Sequence, residues 1–212
     1  MNVDGVITEA RSITRSESYG DAWMVDRLNM GIKEIAAIFA IPGLSASATV
    51  TASITADNVA MPADYHHSLY LATSETYPNG LILRPNLKDL IATHYPDAAG
   101  PVEKVAVEFQ TLYYKPIPEE AEIITLYYYK NPDEITLVSD LPSWIPSHLQ
   151  KPLMVNYLVK ELFSQIEEGI DGQTPNTTKY MNFYGQALMM MEAFYPKASK
   201  PYYKVTSTPV WY

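Results

Sequence analysis

Cysteine is absent from this 212-residue chain, which removes disulfides, thiolate nucleophiles and thiolate metal ligands together. Histidine is nearly as scarce, at 4 residues. His66 and His67 are adjacent, and neighbouring side chains on a strand point to opposite faces, so the pair does not share a metal ion. His94 and His148 stand far from them with no ligand-spaced carboxylates. There is no glycine-rich phosphate loop and no serine elbow, and Asp64, near the histidine pair, has no activated nucleophile to serve. These absences argue against an enzyme, and neither cofactor nor metal is expected. No apolar run approaches the roughly 20 residues that cross a bilayer. Residues 1–18 lack the basic and apolar succession of a secretory signal. The expectation is a soluble chain without a membrane partner.

Positive charge is also short. The sequence holds 15 basic and 24 acidic side chains, a formal charge of −9, with a pI of about 4.9. Lysine and arginine are scattered, so a basic recognition helix or arginine-rich arm that reads nucleic acid is not expected. An acidic wall that merely surrounds nucleic acid is compatible with this balance, because it leaves a duplex mobile.

What the chain has in excess is tyrosine, 17 residues against 5 phenylalanines. Tyrosine joins a large contact area to a polar handle and so tolerates partial exposure, as subunit contacts require. The tyrosines concentrate in two β-branched and aromatic runs within residues 105–129. In the first, Val105, Val107, Phe109, Thr111 and Tyr113 share one side of a single strand. In the second, Ile123, Thr125, Tyr127 and Tyr129 face one way and Ile124, Leu126 and Tyr128 the other, which reads as a central strand covered on both faces. Pro116 and Pro118 place residues 115–120 in the connection. Tyr113, Tyr114, Tyr127 and Tyr129 are candidate contact residues, and Glu119 and Glu120 form a negative patch on the link. A stacking platform for bases lacks the flanking cations it needs.

Helical periodicity occupies the two ends. Val3, Val6, Ala10 and Ile13 form one stripe, ended at Tyr19-Gly20. With Asp21 as cap, Met24, Leu28, Ile32, Ile35 and Phe39 form another, within which Gly31 permits close helix contact. Met154, Leu158, Leu162, Ile166 and Ile170 mark a third helix from Ser147, closed by Gly169 and Gly172. Met181, Tyr184, Leu188, Met191 and Tyr195 mark a fourth, with Met189, Met190 and Met191 filling gaps between helices. Asn176-Thr177-Thr178 matches a glycosylation acceptor but reads as helix capping. Between the ends lie short strands, a turn at Tyr77-Pro78-Asn79-Gly80 and a short helix capped by Asn86. The fold class is therefore α+β. Residues 1–44 and 139–196 form a four-helix bundle from the terminal helix pairs, residues 45–138 an inserted β-rich region, and residues 197–212 an arm carrying Tyr202, Tyr203, Trp211 and Tyr212.

The order of these segments resembles the phage head-to-tail adaptor family, also called head completion or connector proteins, which includes the tail tubular adaptor of short-tailed phages. The matching phrases are Leu28-Asn29-Met30-Gly31-Ile32 and Glu34-Ile35 in the second helix, Met61-Pro62-Ala63-Asp64, Tyr127-Tyr128 followed by Asn131-Pro132, and Leu141-Pro142 through Ile145-Pro146. The resemblance implies a non-enzymatic virion structural protein at the head–tail interface, assembled in the host cytoplasm. It further implies a ring, commonly of twelve copies, that contacts the portal protein and tail or nozzle proteins. DNA would pass through its channel without sequence-specific binding. The alternative from the residues themselves is a module that binds carbohydrate or protein on a tyrosine-rich sheet.

Overall fold

A computed structural model describes residues 1–93, 99–167 and 174–198. It divides into two units, Met1–Gly43 with Pro132–Lys197, and Leu44–Asn131. The architecture is α+β, with a helix pair at each end of the chain and a β-rich middle.

The helical unit contains α1 (Val3–Thr14), α2 (Asp21–Ile38), α4 (Ser147–Glu167) and α5 (Pro175–Met191). Its axis is α4, which packs on each of the other three. The stripes read from the sequence are the buried ones in α1 and α2: Val3, Val6 and Ala10, then Met24, Leu28, Ile32 and Ile35, are at most 1% exposed. Residue 31 lies under the ring of Tyr157, and a Cβ there would stand 2.8 Å from two ring carbons. Glycine at this position is thus a packing requirement that outweighs its helix cost of about 1 kcal/mol.

Two backbone bridges tie the ends of the chain together. Val3 N donates to Ser139 O at 3.0 Å, and Ala40 N to Pro196 O at 2.9 Å. Residues 132–138 belong to this unit and are irregular. Asn29 brackets Ile135, donating from Nδ2 to its carbonyl at 3.1 Å and accepting its N–H at 2.9 Å. Leu141 and Ile145 are buried, so the proline-punctuated connector is pinned as expected.

Three local expectations are corrected. α1 ends at Thr14, where Arg15 takes a left-handed conformation with φ 53° and returns its N–H to Arg11. Gly20, not Asp21, occupies the cap of α2, because the Asp21 carboxylate pairs with Arg11 at 2.7 Å. Asn176 and Thr177 do not cap their own helix; Glu167, at the end of α4, accepts from both of their N–H groups and both side chains at 2.7–3.1 Å. The carboxylate sits where the free N–H groups and positive end of α5 favour an anion. Ile170, Gly169 and Gly172 lie outside the described residues.

The β unit contains β1 (Ser45–Ala52), β2 (Asn58–Ala60), β3 (Tyr65–Ser74), β4 (Ile82–Arg84), α3 (Leu87–Ala92), β5 (Lys104–Glu108), β6 (Thr111–Lys115) and β7 (Glu122–Lys130). They make a three-stranded sheet, β1-β7-β3, and a four-stranded sheet, β2-β6-β5-β4. β7 is central and antiparallel to both neighbours; β4 alone runs parallel, to β5. Leu112, Tyr114, Val105, Ile124, Leu126 and Tyr128 join one apolar cluster fed by both sheets. Gly80, with φ +122°, makes the turn before β4, and Asn86 accepts from Asp89 N at 2.8 Å to cap α3.

The run 105–113 is not a single strand. It reverses at Phe109 and Gln110, where Phe109 takes φ 54°, and its halves pair from Glu108 with Thr111 outward. The expectation that both faces of β7 are covered also fails. Ile124, Leu126 and Tyr128 are buried, but Ile123 on the other face is 61% exposed.

Replacing Gly31 by alanine drives a methyl group into the Tyr157 ring, and a loss of about 1–3 kcal/mol is expected in urea unfolding despite alanine's better helix propensity. A gain in stability would show that the ring is free to move aside. Glu167 titrates with opposing causes: burial pushes its carboxyl up, but the hydrogen bonds from Thr177 and Asn176 prevail and hold it below the ordinary value. Its stabilisation is present above the ordinary carboxylate pKa and is lost as pH falls through the lower folded value. Melting followed from pH 6 to pH 2 should therefore show a shallower acid decline in Glu167→Gln than in the parent chain.

Candidate functional site

Alternation along β7 divides its tyrosines between two fates. Tyr128 points into the core at 1% exposure and donates its hydroxyl proton to Asp64 Oδ1 at 2.6 Å. Tyr127 and Tyr129 lie on the opposite, half-exposed face. There the register sets Ser47 and Leu71 against Tyr127, and Ser45 and His67 against Tyr129. The His67 ring stacks on Tyr129 at 5.4 Å, and Tyr70, 43% exposed, approaches it at 5.3 Å. With Thr49, Thr51 and Thr125 in the same rows, the face carries hydroxyls and rings but neither lysine nor arginine among these positions. Such chemistry suits another protein surface and gives a phosphate backbone nothing to hold.

The other sequence candidates separate. Tyr113 is half-buried on β6. Tyr114 is fully buried, its hydroxyl accepting from Ser53 N at 2.7 Å, so in this fold it is a core residue and is unavailable for contact. Glu119 and Glu120 are exposed and line a groove of about 410 Å³ with Glu75 and Glu122. Glu122 is structural in part, since Oε2 accepts from Val102 N at 2.8 Å. Tyr202, Tyr203, Trp211 and Tyr212 lie outside the described residues.

The periodicity reading missed the outer surface of α5. Tyr184, Ala187 and Met191 are buried, but Met181, Met189 and Met190 are 58%, 71% and 52% exposed. The latter two therefore do not fill gaps between helices. Successive methionines on a helix cannot all face one neighbour, and that geometric fact was the available signal.

Among the described residues no group of three or more histidine, cysteine, aspartate or glutamate side chains is placed to hold a metal ion. None of their helices is long and apolar enough to cross a membrane. The sequence matches the SU10 adaptor protein family over residues 1–201. The chain belongs to this family. No curated protein matches it. Membership makes the chain a structural connector of the phage virion at the head–tail interface, where portal and tail components meet, and not an enzyme. The alternative of a carbohydrate module has no observation in its favour.

Buried tyrosines give the adaptor an alkaline limit, Tyr128, Tyr157 and Tyr184 foremost. Burial first, then the hydrogen bond to Asp64, raises the Tyr128 phenol. Burial first, then Glu161 and Glu34, raises Tyr157, and burial first, then Glu34, raises Tyr184. A raised folded pKa means that the folded chain holds its protons more tightly, so stability is intact below the ordinary tyrosine value of about 10 and falls as pH climbs above it. Denaturant midpoints between pH 9 and pH 11.5 should drop, and Tyr128→Phe should reduce the slope. An unchanged slope in that variant would place the titrating groups elsewhere.

Proposed function

We propose that the adaptor assembles as a twelve-membered ring between the portal protein and tail or nozzle proteins, with a central channel that passes DNA without reading it. The observation that carries this reading is the family match across residues 1–201, which takes in both units. In it, the helix pairs of residues 1–44 and 139–196 form the ring body. Residues 45–138 present the β sheets to tail components, and residues 197–212 act as an arm. Assembly takes place in the host cytoplasm before the ring enters the virion.

The net charge of −9 supports passage over capture, since a wall of that sign repels phosphate. The face of Tyr127 and Tyr129 supports a protein contact, with Tyr113, Glu119 and Glu120 at the further edges of the same reading. Tyr202, Tyr203, Trp211 and Tyr212 supply the arm with its contact area.

Native mass measurement with purified portal tests the ring directly. The expected product is a portal complex bearing twelve copies, and a chain that stays monomeric and ignores the portal would sink the proposal. Tyr127→Asp with Tyr129→Asp should leave the circular dichroism spectrum unchanged and weaken binding of tail components by at least tenfold, since each change places an unpaired charge in a contact. Full binding by the double variant would move the contact off this face.

A further inference from the structure

Among the described residues α5 has a partner on one side only. Its inward residues meet α4, while Met181, Phe183, Met189, Met190 and Phe194 on and just after it are 39–71% exposed. Phe183, Met190 and Phe194 recur at seven and four residues, so they form one row. Met181 and Met189 flank Gly185, which has no atom within 4 Å of where a Cβ would stand. They border a groove of about 650 Å³ whose other walls include Tyr184, Glu34 and Lys160. Single exposed apolar side chains need no explanation, but five large ones within 14 residues mark a contact surface.

We propose that residues 199–212 of one copy dock on this methionine and phenylalanine face of α5 in the neighbouring copy. The inference rests on the ring reading above and names the partner of the arm.

The chain returns beside the end of α5 at Lys197, whose Nζ pairs with Glu192 at 2.5 Å, and Pro196 is fastened to Ala40. The last described residues therefore stand beside the end of the helix that carries the apolar row. Fourteen extended residues span up to about 46–50 Å, and the 17 residues of α5 cover about 25 Å, so the segment is long enough to run the length of the helix. Tyr202, Tyr203, Val205, Val210, Trp211 and Tyr212 provide rings and branched side chains, and thioethers make favourable contacts with aromatic edges. Lys200 and Lys204 are the segment's only charged residues, in a chain of net charge −9. Glu34 at the groove offers them an opposite charge.

Ring closure selects the neighbour over the chain's own α5. A ring is closed by a head-to-tail contact between two unlike patches of the same chain. The segment and the face are two such patches. Pairing within one copy would cover the face and link nothing.

The absence of native cysteine makes the test clean. Chains carrying Met189→Cys and chains carrying Trp211→Cys are mixed at full length, assembled on portal and oxidised with diamide. Disulfide-linked pairs of unlike chains are expected, together with a ladder of multimers from the double variant. Ala22→Cys, exposed on α2, replaces Met189→Cys as the control and should give at least tenfold less product. A double variant that links only within single chains, or assembled rings that link no chains, would overturn the docking while leaving the ring reading standing. Failure of the intact chain to form rings on portal would remove the ring reading. In that event the same mixture is oxidised at rising concentration without portal, where a lack of unlike pairs overturns the docking as well.

Discussion

The helical unit depends on how closely two helices approach at Gly31 and Tyr157. With the ring seated on a residue that has no side chain, α4 comes near enough to α2 for both apolar stripes to be buried together. Tyr157 then touches Tyr184 edge-on at 5.3 Å, which draws α5 to the same centre. Lys160 lies 4.5 Å over the Tyr157 ring and 5.3 Å from that of Tyr184, so the phenols are closed off by a cation whose charge is also matched by Glu161 at 3.1 Å. Magnitudes favour packing as the main source of stability. A fully buried Leu, Ile or Met is worth about 1.5–3 kcal/mol, and α4 alone buries Leu149, Leu153, Met154, Leu158 and Leu162 completely. The hydrogen bonds of Asn29 are each worth about 1 kcal/mol net, and those of Glu167 are made to a charged carboxylate. Their role is to fix where the irregular segments join.

In the β unit the governing constraint is the period of two. β7 offers Ile124, Leu126 and Tyr128 to the core, and that choice commits Ile123, Tyr127 and Tyr129 to the other side. A shift of one residue would bury the wrong set and expose the Tyr128 hydroxyl that Asp64 receives. The half-open face is thus a consequence of the same register that stabilises the sheet. Its contents then decide what it can meet, and serine, threonine and tyrosine in rows suit a partner protein better than a charged polymer.

Helix positions were legible because the 3.6-residue stripes of α1 and α2 are long and each buries against α4. The closeness at Gly31 was legible too, from a glycine placed where an alanine would propagate the helix better. Strand ends were less so. Phe109 continues the alternation of 105–113 in composition, and nothing local announces that it will take a left-handed conformation usually left to glycine or asparagine. Tyr114 and Tyr113 differ by one position and have opposite burial, which tyrosine content alone does not distinguish. The α5 stripe was half legible: Tyr184 and Met191 are inside, but Met181 satisfies the same spacing and is outside because, among the described residues, the helical unit has no further helix to cover it.

That last difference bears on how a connector of this kind is built. Each unit has its own core, so folding does not require the surfaces that remain apolar, and those surfaces are free to be used between chains. In the helical unit the unsatisfied area is a row of flexible thioethers and two phenyl rings, groups that adapt to irregular partners. In the β unit it is a flatter field of hydroxyls and rings, which gives contact area at low entropic cost because tyrosine has few rotatable bonds. A subunit that must hold unlike neighbours on different sides benefits from such chemical difference, because a patch that fits one neighbour then fits the other poorly.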